Sequence, residues 1–274
     1  MKKVLFLIAV ALIIVCSGCV KAPETNEIRV IATIEPVKYI AEQILKDKGG
    51  ASSLLSQNQD VHSFELKPLS MKNVANADII IFLGSNLEFE EKNMEALIEN
   101  ARNTVVLFLS DGIDSVFDPH IWVSLKNLKI LAGRICECIS HYDEENRDYY
   151  ENNLAVYSAK IDSADKILSE TLLKRGIKRI FTDHTAFSYL AIDYSVEQTA
   201  IFEESKEPSL RDISATADLM KNDPDKILIL TNPSSKRFTD IFQREAGAKV
   251  IMFNPLSLDI VGEFLNLAVS INNE

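Results

Sequence analysis

Asp143 to Lys174 reads DEENRDYYENNLAVYSAKIDSADKILSETLLK, 32 residues without a glycine or a proline. Asp143 is placed to cap a helix, Glu144 and Glu145 fall in its first turn, and Lys174-Arg175-Gly176 closes the far end. That charge order complements a helix dipole, and glycine is the usual stop. At 1.5 Å per residue the helix is roughly 45 Å long, more than one small lobe is thick. It is also too polar for a core helix. The stretch therefore predicts a spine with a lobe at either end.

Outward from the spine, both flanks alternate between short apolar runs and helical patterns. On the N-terminal side, Ile28–Thr33, Ser52–Leu55, Asp78–Gly84 (DIIIFLG) and Thr104–Leu109 read as buried strands. Between them, Val37, Ile40, Ala41, Ile44 and Leu45 mark one helix face, and Leu69–Ala75, Glu88–Arg102 and Leu125–Ser140 are further helices. On the C-terminal side, strands are predicted at Lys178–Thr182, Val196–Phe202, Lys226–Thr231 and Lys249–Phe253. Helices are predicted there at Thr185–Asp193, Ser209–Lys221, Ser235–Glu245 and Ile260–Ile271. The fold class is α/β: two lobes, each a mostly parallel sheet flanked by helices, joined by one long spine helix. The expected boundaries are 28–142 for the first lobe, 143–175 for the linking helix and 176–274 for the second lobe.

The chain has 274 residues, 47% of them hydrophobic and 25% charged, so wholesale disorder is excluded. Its 29 basic and 40 acidic residues give a net charge of −11, which argues against nucleic acid as a partner. At the N-terminus, Lys2 and Lys3 precede an apolar run from Val4 to Val15, too short to span a bilayer but suited to a signal-peptide core. Ser17-Gly18-Cys19 follows and is similar to a lipoprotein signal. The expectation is a signal peptide over 1–18, lipidation of Cys19, a polar tether over 19–27, and an extracytoplasmic, membrane-anchored protein on the periplasmic side or cell surface. Cys136 and Cys138 then remain; two apart on a helix they point in different directions and read as small core residues rather than a disulfide.

Only four histidines are present. His62, His120 and His184 fall in loops after strands or beside proline, where α/β sheets bind ligands, whereas His141 lies in a polar turn before the spine. His62 and His120 belong to the first lobe and His184 to the second, so a cleft between lobes would collect all three. Imidazoles with one carboxylate suit tetrahedral Zn²⁺. Asp259, after the last strand, supplies that acid, with Glu263 as its competitor. Four protein ligands close the coordination shell, which favours holding a metal over activating water.

Asp118-Pro119-His120-Ile121-Trp122, His184-Thr185-Ala186-Phe187-Ser188-Tyr189-Leu190 and Glu207-Pro208-Ser209 resemble segments of the metal-binding solute-binding proteins of zinc and manganese ABC importers. Weaker likenesses are Ala32–Pro36, His62–Glu65 and Asn254-Pro255-Leu256, and the similarity runs from about Ile28 to Ile271. The chain departs from that pattern at Val61 and Leu66 around His62, and at Asn254, where an acid is usual. The resemblance implies two α/β lobes on one long helix and metal ligation by His62, His120, His184 and Asp259. It implies Zn²⁺ as the cargo, since histidine rather than glutamate stands third, with Mn²⁺ as the alternative. It also implies no enzymatic activity, a membrane permease as partner, and a monomer. Two other functions compete. A zinc hydrolase lacks any HExxH-type motif here, and a receptor for iron chelates would not need histidines from both lobes.

Overall fold

A computed structural model describes residues 27–56, 66–113, 118–202, 209–231 and 239–273. The first lobe runs β1 (Ile28–Ile34), α1 (Glu35–Leu45), β2 (Gly49–Leu55), α2 (Pro68–Ala75), β3 (Ile79–Phe82), α3 (Glu88–Asn100), β4 (Val105–Phe108) and α4 (Leu125–Tyr142). The spine is α5 (Arg147–Arg175). The second lobe runs β5 (Arg179–Thr182), α6 (Ser188–Tyr194), β6 (Glu197–Ala200), α7 (Leu210–Lys221), β7 (Ile227–Leu230), α8 (Thr239–Ile241), β8 (Lys249–Met252) and α9 (Ile260–Asn272).

Each lobe holds one sheet of four parallel strands, ordered β2-β1-β3-β4 in the first and β6-β5-β7-β8 in the second. The central strands β3 (IIIF) and β7 (ILIL) are buried along their whole length, as expected of strands covered on both faces. Because the order is the same, each sheet has its topological switch between its first and third strands, the position where α/β sheets open a crevice. The alternation of β7 divides its side chains. Ile227 and Ile229 join a large core that also contains α1, α4, α5 and α9, while Leu228 and Leu230 pack with Phe181, Met220 and Phe242 on the outer face. One core thus continues from the first lobe through the spine into the second.

The spine is shorter at its start than the sequence suggests. Asp143 ends α4 rather than capping α5; its carboxylate accepts from Tyr150 Oη at 2.6 Å and Asn146 Nδ2 at 2.8 Å, and a single 3-10 turn (Glu144–Asn146) separates the two helices. At the other end Gly176 adopts φ 69°, and Ile177 N–H reaches Leu172 O at 3.0 Å, the glycine-closed stop that the sequence signals. Two helices of the second lobe also differ from expectation. α6 begins only at Ser188, because 183–187 form a turn in which Thr182 Oγ1 donates to His184 O at 2.8 Å. The helix expected over 235–245 is described only from Thr239, where α8 passes into a π turn over Phe242–Ala246. Among the described residues no helix is long and apolar enough to cross a membrane; residues 1–26, including the expected signal and Cys19, lie outside them.

Candidate metal centre

His184 stands two residues beyond β5, at the switch point of the second sheet. The residue before it, Asp183, is 1% exposed and joins the ends of β5 and β7: its Oδ2 accepts from Thr231 N at 2.9 Å, and both oxygens lie 3.1 Å from Thr231 Oγ1. Asp183 Oδ1 also accepts from His184 N at 3.1 Å and sits 3.2 Å from His184 Nδ1. The turn carrying His184 is therefore fixed by its own preceding carboxylate. In the first lobe the corresponding switch point is closed by Glu90. Its Oε1 accepts from Thr33 Oγ1 at 2.5 Å and Leu83 N at 2.7 Å, and Oε2 from Gly84 N at 2.8 Å. Burial is the largest influence on Glu90 and raises its carboxyl above the ordinary value despite those donors.

His120 lies in the long loop between β4 and α4 and is 2% exposed. Asp118 Oδ1 accepts from His120 N and contacts His120 Nδ1, both at 2.8 Å. Its Oδ2 accepts from Ser188 N, across the cleft, at 3.1 Å. Burial opposes ionisation of Asp118, but the His120 ring and N–H and the Ser188 side chain together outweigh it and hold the carboxyl below its ordinary value. Other bonds from the same loop reach the second lobe: Tyr189 Oη donates to Asp118 O at 2.9 Å, Trp122 Nε1 to Pro255 O at 2.8 Å, and Ser124 Oγ to Asp193 Oδ2 at 2.6 Å. The result is a pair of imidazoles from different lobes, His120 and His184, with ring centroids 5.3 Å apart in an edge-to-face arrangement. Trp122 flanks His120 at 5.1 Å and Phe202 stacks beside His184 at 6.4 Å.

His62, the third expected histidine, lies outside the described residues. Asp259 is described, and it is engaged elsewhere. Its two oxygens each lie 2.9 Å from Lys160 Nζ on the spine, and Oδ1 caps α9 by accepting from Gly262 N at 3.1 Å. Among the described residues no third His, Cys, Asp or Glu completes a metal-holding group with His120 and His184. In this arrangement a cationic side chain and the N-terminus of α9 satisfy the charge of Asp259. Glu263, one turn on, accepts from Asn254 N at 3.2 Å, just past the end of β8. His141 is exposed at the end of α4, 4.0 Å from Glu144, as its polar surroundings suggest. Cys136 is buried against Ser140, and burial pushes the Cys138 thiol up to about 11, so neither is a ready thiolate.

Sequence reasoning singled out the histidines but not the aspartates that hold them, although Asp118 and Asp183 stand two and one residues before His120 and His184. A buried carboxylate beside an imidazole is the standard outer partner of a metal-binding histidine. The fold thus brings one imidazole from each lobe, each with a carboxylate neighbour, to the ends of the two sheets.

Comparison with known proteins agrees. The family model described as zinc-uptake complex component A, periplasmic, matches residues 30–264. The chain is 27% identical over 253 residues to the high-affinity zinc uptake system protein ZnuA of Bacillus subtilis, covering 84% of this chain and 79% of that one. It is 31% identical over 220 residues to the manganese ABC transporter substrate-binding lipoprotein PsaA of Streptococcus mitis, covering 74% and 71%. A crystal structure of ZnuA superposes with a TM-score of 0.81 at 27% identity, covering 89% of this chain and 97% of that one. The chain belongs to this ZnuA/PsaA family of metal-binding substrate-binding proteins of ABC importers, which work with a membrane permease and are not enzymes.

Proposed function

We propose that this protein captures Zn²⁺ outside the cytoplasm and delivers it to its permease, holding the ion between the lobes on His62, His120 and His184. The observation that carries the reading is the His120–His184 pair, one ring from each lobe, His120 buried and His184 partly buried, each beside its own aspartate. Neutral imidazole is a preferred ligand of Zn²⁺, whereas Mn²⁺ favours sites richer in carboxylate. For the fourth position, Asp259 would have to give up both Lys160 and the α9 cap, while Glu263 would release one backbone N–H. The smaller loss makes Glu263 the proposed acidic ligand. Anchoring through a lipid on Cys19 is supported by the lipoprotein-like signal and by the naming of the PsaA relative as a lipoprotein.

Elemental analysis of protein purified without chelator, followed by competition with a calibrated zinc dye and a manganese titration, tests the cargo. The reading requires one zinc per chain and much weaker manganese binding. Preferential retention of manganese would replace zinc as the cargo while leaving the family assignment intact.

A further inference from the structure

Both site histidines have aspartate neighbours, but the two aspartates are used differently. Asp183 directs both oxygens to Thr231 and reaches His184 Nδ1 only at 3.2 Å, where Thr231 Oγ1 also approaches that nitrogen at 3.3 Å. Asp118 gives one oxygen to His120, meeting both the main-chain N–H and ring Nδ1 at 2.8 Å, and the other to Ser188 N in the opposite lobe. Ser188 opens α6, four residues after His184. One carboxylate therefore touches the first imidazole and the segment that carries the second.

We infer that Asp118 is a positioning residue: Oδ1 fixes the His120 ring as the Nδ1–H tautomer so that Nε2 is its ligating nitrogen, and Oδ2 sets the spacing between His120 and His184 by gripping the start of α6. The inference rests on the proposed ligation by His120. An ionised carboxylate can only accept hydrogen bonds, so the ring nitrogen facing Oδ1 must carry the proton. Metal ligation then falls to the other nitrogen. Because Oδ2 accepts from a backbone N–H, the orientation of His120 and the position of the His184 segment are set by one group. Asparagine keeps the size of the side chain but turns one oxygen into an NH₂ donor. With its oxygen toward His120, that donor faces Ser188 N–H; flipped, it faces His120 instead. It cannot satisfy both partners.

Metal-free protein labelled with ¹⁵N-histidine tests the first half without any substitution. The long-range ¹H–¹⁵N spectrum should show His120 as the Nδ1–H tautomer, and an Nε2–H tautomer would overturn the inference. Zinc titration of Asp118→Asn tests the whole: affinity should fall by about 10- to 100-fold, the usual cost of losing an outer-shell partner. Tyr189→Phe serves as control, since it removes a bond between the same loop and the second lobe while sparing the Asp118 carboxylate. An equal loss in Tyr189→Phe would show that lobe contact, not imidazole positioning, is at work. Wild-type affinity in Asp118→Asn, alongside severe loss in His120→Ala, would overturn the inference and leave the site reading standing. Unchanged affinity in His120→Ala would instead remove the site reading itself. Should Asp118→Asn fail to fold, the tautomer measured in the wild-type protein decides.

Discussion

The imidazoles of His120 and His184 meet edge-to-face, 5.3 Å between centroids, although 63 residues and the whole spine helix separate them in the chain. Neither lobe can form this pair alone. Joining the two lobes is what creates the site.

Replacing either histidine by alanine should therefore reduce zinc affinity by orders of magnitude without unfolding the protein, since both sit on loops and the core lies behind them. Isothermal titration gives the affinity and thermal melting the control. Equal affinities for wild type and His184→Ala would contradict the two-lobe site.

The two acids at the start of α9 should separate. Glu263→Gln is expected to weaken zinc binding more than Asp259→Asn, because Glu263 is the acid proposed to meet the ion, whereas asparagine at 259 can still cap α9. A larger loss of affinity in Asp259→Asn would show that Asp259 exchanges Lys160 for the metal.

Most of the architecture is legible in the sequence because parallel strands buried on both faces must be continuous apolar runs, as in DIIIFLG and KILILT. The spine is legible from the absence of breakers and from Gly176. Its first residue is not: Asp143 is a good cap by type, but its carboxylate is taken by Tyr150 and Asn146, so α5 starts at Arg147. The site divides in the same way. His120 and His184 stand out by scarcity and loop position. The pairing of Asp259 with Lys160, 99 residues away, and of Asp118 with Ser188, 70 residues away, depends on tertiary geometry that local spacing does not encode.

Glu90 makes a prediction about stability. Burial raises its carboxyl in the folded state, so the folded protein holds that proton more tightly than the unfolded chain. The contribution favours folding below the ordinary glutamate value of about 4.3 and is lost as pH rises through the raised folded value. Denaturant titrations should show the stability of wild type relative to Glu90→Gln falling with rising pH. A difference that grows with pH would contradict it. Glu90→Leu, which strands the Leu83 and Gly84 N–H groups, should cost more at every pH than Glu90→Gln does.

Metal binding should produce little compaction. Asp118–Ser188, Trp122–Pro255 and Ser124–Asp193 already join the lobes, and an unbroken helix provides no loop hinge. Small-angle scattering with and without zinc should give nearly superimposable curves; a large metal-dependent decrease in radius would mean that the spine bends or that these contacts form only on binding.

X-ray absorption at the zinc edge, on protein loaded with one equivalent, tests the central claim most directly. The site described here predicts a four-coordinate first shell of nitrogen and oxygen at about 2.0–2.1 Å with the outer scattering of about three imidazoles, and loss of one imidazole contribution in His120→Ala. A shell containing sulfur, or one without imidazole scattering, would contradict it.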